Sequence, residues 1–268
     1  MLHPRRQATI TARLFVIGVL LFVWASSDAQ AREAVKLHTA FLPDRLGAST
    51  TIAFGLVVTN PDGGVPAAVT SVSLRFPAGM NPNTSELGLG ICQPAALLAL
   101  GPNGCPNNSR VGFGTAFVEV AVGDTLVQEA ASITTFFGPP KTSNEVLFFA
   151  SAQSPVQDEL VFPGQLKSET NGLYGGKLET TIPLVESWPE GPLVSLTRFE
   201  STIGPDNLTY YIHSHGKTQA FRPKGIAVPE TCPHAGFPFA AELTFVDHTT
   251  VTARSRVPCP AGIQRHRP

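Results

Sequence analysis

Charge is scarce in this chain. Only 15% of its 268 residues are Asp, Glu, Lys or Arg, and the two signs nearly cancel to a net charge of −1. Ordinary globular proteins carry about 25%, so Ser, Thr, Asn and Gln must supply much of the wetted surface. A nucleic-acid binder needs a basic patch or stripe to meet phosphates, and this balance excludes nucleic acid as a partner. Trp is nearly absent, with two in the chain. Only Trp188 lies beyond the N-terminal region, so the rows of Trp that line many sugar clefts are missing. Long apolar runs are missing too. The run Leu14 to Ala25 is twelve residues long, and crossing a bilayer core of about 30 Å takes about 20.

What surrounds that run is informative. Arg5, Arg6 and Arg13 precede it, and Ser26, Ser27, Asp28 and the triplet Ala29-Gln30-Ala31 follow. A basic head, a short apolar centre and small residues at −3 and −1 are the parts of a cleavable secretory signal. Cleavage after Ala31 leaves 237 residues and removes three Arg and one Asp, which moves the net charge to −3. No cysteine for a lipid anchor sits near the cleavage site, and residues 261 to 268 carry no sorting signal. The expected product is released or held non-covalently, and it meets a membrane only through an uncleaved signal.

The four cysteines, Cys92, Cys105, Cys232 and Cys259, all follow the signal. An even number in an exported chain reads as two disulfides, with three possible connectivities. Pairing neighbours, Cys92 with Cys105 and Cys232 with Cys259, closes two short local loops and is the simplest choice. A zinc site would want close C-x₂₋₄-C knuckles, which are absent.

Short β-rich stretches fill the rest. Lys36 to Phe41, Thr50 to Thr59, Val69 to Phe76, Val111 to Val120, Ser132 to Phe137 and Glu145 to Gln153 read as strands. So do Glu159 to Phe162, Lys177 to Ile182, Leu193 to Ile203, Asn207 to Ile212, Phe239 to Asp247 and Val251 to Val257. Gly and Pro clusters separate most of them, and about a dozen short strands with almost no helix mean a sandwich or barrel. In Val69 to Phe76, Val72, Leu74 and Phe76 face one way, and Ser71, Ser73 and Arg75 the other. The last two strands form a hairpin around Asp247 to Thr250, its open end tied by Cys232 and Cys259. Pro94 to Leu100 predicts the single helix, started by Pro94 and stopped by Gly101-Pro102. Adjacent strand residues face opposite sides, so one Phe of Phe136-Phe137 and one of Phe148-Phe149 must leave the main core. A loop or second sheet is expected to cover each.

No local motif carries chemistry. There is no G-x-S-x-G elbow. Gly216-Lys217-Thr218 mimics the end of a P-loop, but Tyr211 stands where glycine is required. Ser214-x-x-Lys217 fits an S-x-x-K pattern without the helix that pattern must open. His213 and His215 would share a strand face, yet no third metal ligand lies nearby; exposed strand-end histidines are expected. The carboxylates Glu119, Glu129, Glu145, Asp158, Glu159, Glu179, Glu186, Glu200 and Glu242 are scattered, and no groove is expected to hold a facing pair. Asn83, Asn107 and Asn207 begin N-x-S/T sequons.

The order Leu74…Pro77-x-Gly79, then Cys92, then Cys105-Pro106-Asn107-Asn108-Ser109-Arg110-Val111-Gly112 resembles uncharacterised secreted β-rich domains of high-GC Gram-positive bacteria. Their signature is C…CP-x-x-S-x-[IV]-G after an LP-x-G strand end. Leu178 to Pro183 and Thr231-Cys232 before the terminal hairpin fit as well, and the resemblance runs from about Leu37 to Cys259. It implies no activity and no catalytic or binding residue.

Together these features predict residues 1–31 as a signal peptide and residues 32–268 as a single all-β domain. The expected fold is one antiparallel β-sandwich, jelly-roll or immunoglobulin-like, with one short helix in a disulfide-closed loop. The expected role is non-catalytic, structural or ligand-binding outside the cell, toward a surface or extracellular polysaccharide or protein. The alternative is a jelly-roll carbohydrate-active enzyme or carbohydrate-binding module. No cofactor, metal ligand or catalytic residue is assigned. N-terminal sequencing of the exported protein should begin at Arg32; an intact N-terminus in the membrane fraction would make the signal an anchor.

Overall fold

The computed structural model describes residues 33–80, 90–140, 144–153, 157–169, 172–204, 209–223 and 225–260. The signal region and the sequons at Asn83 and Asn207 lie outside the described residues. In chain order the strands are β1 (Ala34–Leu42), β2 (Ser49–Thr59), β3 (Val69–Pro77), β4 (Arg110–Val122), β5 (Thr125–Phe137), β6 (Asn144–Ala152) and β7 (Asp158–Ser168). They continue as β8 (Tyr174–Thr181), β9 (Ser195–Ile203), β10 (Tyr210–Ser214), β11 (Lys217–Phe221), β12 (Ile226–Ala227), β13 (Phe237–Phe245) and β14 (Thr250–Val257). β10 and β11 pair only with each other. The remaining twelve form one sheet with the order β1-β2-β9-β4-β5-β6-β7-β8-β3-β13-β14, and β12 adds to the start of β2.

The all-antiparallel architecture is as the sequence predicts, but the sheet is barrel-like rather than the simple sandwich expected. Twisted sheets of more than about 10 strands tend to curl, and here the two ends meet. β1 lies against β14, with Thr39 Oγ1 and Ser255 Oγ sharing a hydrogen bond at 3.0 Å. Close by, the Phe41 and Phe237 rings stand 5.3 Å apart. One alternating set of side chains lines the interior all the way round. Leu37 pairs with Leu56, Leu56 with Phe199, and Leu74 with both Leu178 and Ala241. The expected split of β3 is observed: Leu74 and Phe76 turn inward, while Arg75 reaches Glu169 at 3.3 Å and Glu242 at 3.6 Å outside. Glu179, also outside, is held below the usual carboxylate range by hydrogen bonds from Lys167 and Lys177. Charged pairs on β3, β7 and β8 are the reverse of the apolar outer band of a membrane barrel.

Of the connections between strands that are not neighbours, two span the greatest distance round the ring. β3 and β4 stand five places apart in the ring, as do β8 and β9. β3 finishes, and β4 begins, at what we call the lower end. Met80, just after β3, is 1% exposed and packs there with Phe41, Ile52, Val111, Phe237 and Phe239. This plug closes the lower end.

Within residues 90–109 of the connection from β3 to β4, the disulfide-closed part packs outside the barrel. Helix α1 (Pro94–Leu100) occupies the predicted residues. Cys92 is joined to Cys105 with a Cα separation of 4.9 Å, and Cys232 to Cys259 with 5.8 Å. The Cys92 N–H donates to the Phe137 carbonyl at 2.8 Å, anchoring the loop to the end of β5. Leu97 is fully buried against Phe136, Leu147, Phe149 and the Cys92–Cys105 bridge. Thus Phe137 and Phe148 face the barrel interior, and the loop covers Phe136 and Phe149. All four are at most 8% exposed. The run from Cys105 to Gly112 also has a structural explanation. Ser109 is buried, and its hydroxyl donates to the Pro106 carbonyl at 2.6 Å, closing a tight turn into β4. A Cβ on Gly112 would lie 2.7 Å from the Thr202 carbonyl oxygen, so only glycine allows β4 this close to β9.

Leu97→Ala should therefore destabilise the protein by about 2–5 kcal/mol. Replacing Cys92 and Cys105 together by Ala should cost about 3 kcal/mol through the loop they close. Urea denaturation measures both; a cost near zero for Leu97→Ala would mean that the helix does not hold the outer face of β5 and β6.

Candidate functional site

The motifs singled out in the sequence do not form a site. His213 lies on β10 and accepts or donates a hydrogen bond with Thr218 Oγ1 at 2.9 Å. His215 falls in the turn after β10, with φ 50°, rather than on the same strand face as expected. The turn rotates the chain between them, which defeats the two-residue alternation. The backbones of Ser214 and Lys217 pair across that turn, and Gly216-Lys217-Thr218 is part of the hairpin rather than a helix start. No group of three or more His, Cys, Asp or Glu among the described residues could hold a metal ion.

The interior of the barrel is different. An apolar cavity of about 230 Å³ occupies its upper half. Its cause is a band of small side chains at inward positions on three neighbouring strands: Gly114 and Ala116 on β4, Ala131 on β5, Ala150 and Ala152 on β6. Larger residues from the opposite wall, among them Leu37, Val72 and Leu74, do not reach across the space this leaves. Inward-facing Val72, Leu74, Leu160, Phe162, Leu178 and Phe199 consequently remain only half-buried. Equivalent residues at the lower end, such as Phe237 and Phe239, are fully buried. A smaller cavity of about 60 Å³ lies below and shares Phe54, Leu74, Leu178 and Ile203 as walls. Thr135 lines it, fully buried, its hydroxyl without a hydrogen-bond partner.

Three of the nine scattered carboxylates line the large cavity. Glu129 comes from β5, Asp158 from the start of β7, and Glu186 from the connection between β8 and β9. This placement was not legible in the sequence, where they are separated by two intervening strands and a crossing loop. Asp158 Oδ1 accepts from the Glu159 N–H at 2.9 Å, and Glu186 Oε2 from the Glu190 N–H at 3.0 Å. Glu129 Oε1 is buried and accepts no hydrogen bond.

No family model matches the chain, and neither a curated protein nor a solved structure matches it.

The β8–β9 connection is a strap built to hold its shape. Val194 N–H donates to Val185 O at 2.9 Å, and Ser187 N–H to Pro192 O at 3.1 Å. The turn closes through Gly191 N–H to Trp188 O at 2.8 Å. Pro183, Leu184, Val185 and Ser187 of this strap line the cavity. Trp188 sits at the strap tip, 46% exposed, with its indole over Gly191. A Cβ at residue 191 would come within 2.7 Å of that ring. Gly191→Val should therefore push the indole toward water and shift Trp188 emission to the red in protein lacking residues 1–31. Unchanged emission would mean that the turn does not hold the ring in place.

Proposed function

We propose that this protein is an exported, non-catalytic carrier that takes an apolar small molecule into the upper half of its barrel. The observation that carries the reading is the set of half-buried apolar side chains pointing inward. Folding normally fills such space, because voids forfeit dispersion contacts. A dry cavity of about 150 Å³ lined by Leu, Ile and Phe is already known to suffice for a benzene-sized guest. Two disulfides suit an oxidising, extracellular environment, and no helix among the described residues is long and apolar enough to cross a membrane. The signal-like N-terminus supports export. The proposed kinship with secreted β-rich domains of high-GC Gram-positive bacteria rests on the Cys105 to Gly112 run.

The carbohydrate alternative fits the walls less well. Sugar hydroxyls need polar partners, whereas Leu, Val, Ala and Phe dominate this interior.

Displacement of an apolar fluorescent probe by straight-chain alcohols tests the proposal. Burying each methylene is worth about 0.8 kcal/mol, or roughly fourfold in affinity, so binding should tighten stepwise with chain length until the cavity is full. Ala150→Phe, which fills the cavity from β6, should abolish displacement with the β-sheet circular dichroism intact. Absence of saturable binding at every chain length would overturn the reading.

A further inference from the structure

Resting on the carrier reading, we propose that the guest is an amphiphile whose polar end is a protonated amine seated against Glu129. Three observations point there. Glu129 shares the inward face of β5 with Ala131 and Ile133 and lines the apolar cavity. Its Oε1 is buried and unpartnered. The other two carboxylates at this end, Asp158 and Glu186, accept backbone N–H groups from Glu159 and Glu190, and of the three only Glu129 has a buried oxygen without a hydrogen-bond partner.

The sign of the charge follows from the neighbours. No Lys, Arg or His lines the cavity among the described residues, while three carboxylates do. Glu129 also borders an outer groove with Arg198, but that guanidinium is engaged elsewhere. It lies 3.8 Å over the Phe117 ring and 3.7 Å from Glu200. Glu119 in the same groove accepts from Gln128 at 2.6 Å. A carboxylate-headed guest would bring a fourth negative charge to this end. An ammonium group donates three hydrogen bonds and neutralises part of the existing charge, and its alkyl chain then runs down between Leu74, Phe162 and Phe199.

The test compares an n-alkylamine, an n-alkanol and an n-alkanoate of equal carbon number, below their aggregation limits at neutral pH, by calorimetry on the mature chain. The amine is then a cation and the alkanoate an anion. The expected order is amine, alcohol, alkanoate, with at least tenfold between the first and last. Glu129→Gln, which keeps the shape, should collapse the amine preference to less than threefold. Ala150→Phe should eliminate amine binding, which separates the cavity from attraction to the acidic surface. Equal or tighter binding of the alkanoate overturns the amine proposal and leaves the carrier reading standing. Amine binding that survives Ala150→Phe, or a preference that survives Glu129→Gln, overturns it as well. Failure of all three probes to bind overturns the carrier reading and this proposal together.

Discussion

Ring closure is the constraint on which the rest of this structure depends. Eleven strands, each antiparallel to the next, run from β1 round to β14. With an odd number, the first and last must point the same way, so the seam cannot continue the antiparallel ladder. The seam is held by side chains instead: the Thr39–Ser255 hydrogen bond and the aromatic contact of Phe41 with Phe237. Closing the sheet gives it an inside and an outside at every residue. That is why a single alternation of apolar and polar positions serves all eleven strands.

Closure also decides what the long connections can do. Two strand-to-strand steps, from β3 to β4 and from β8 to β9, join strands on opposite sides of the ring. Each must cross an end. The lower crossing inserts Met80 among packed aromatic residues and then docks α1 and its disulfide outside. The upper crossing contributes Val185 and Glu186 to a cavity that stays unfilled. The same topological demand thus gives a plug at one end and a strap at the other. The difference lies in the inward side chains beneath: Phe and Ile below, Ala and Gly on β4 to β6 above.

An unfilled interior is costly, because apolar walls without neighbours lose packing energy. The lower core and the outer cluster under α1 offset that cost. Phe136, Leu147 and Phe149 give β5 and β6 a second buried face, so these strands stay ordered even though their inner face borders the opening. The exterior disulfide-closed loop and the interior cavity are therefore two sides of the same pair of strands.

What the sequence by itself determined is local. The helix at Pro94–Leu100, the pairing of both disulfides, the two faces of β3 and the hairpin at Asp247 to Thr250 each depend on residues close in the chain. Alternation, capping and loop closure act over such distances. Alternation also showed that Phe136-Phe137 and Phe148-Phe149 needed cover on two sides. It could not say which strand neighbours which, and so a sandwich was expected where a barrel formed. The first half of β5, Thr125 to Ala131, escaped notice for a related reason. Two of its inward positions, Glu129 and Ala131, line an opening and carry none of the β-branched or aromatic signal of a packed strand. Only the tertiary structure decided the cavity and the placing of Glu129, Asp158 and Glu186 on its lining. A cavity is volume left out, summed over strands far apart in the chain, and no single stretch of sequence contains that sum.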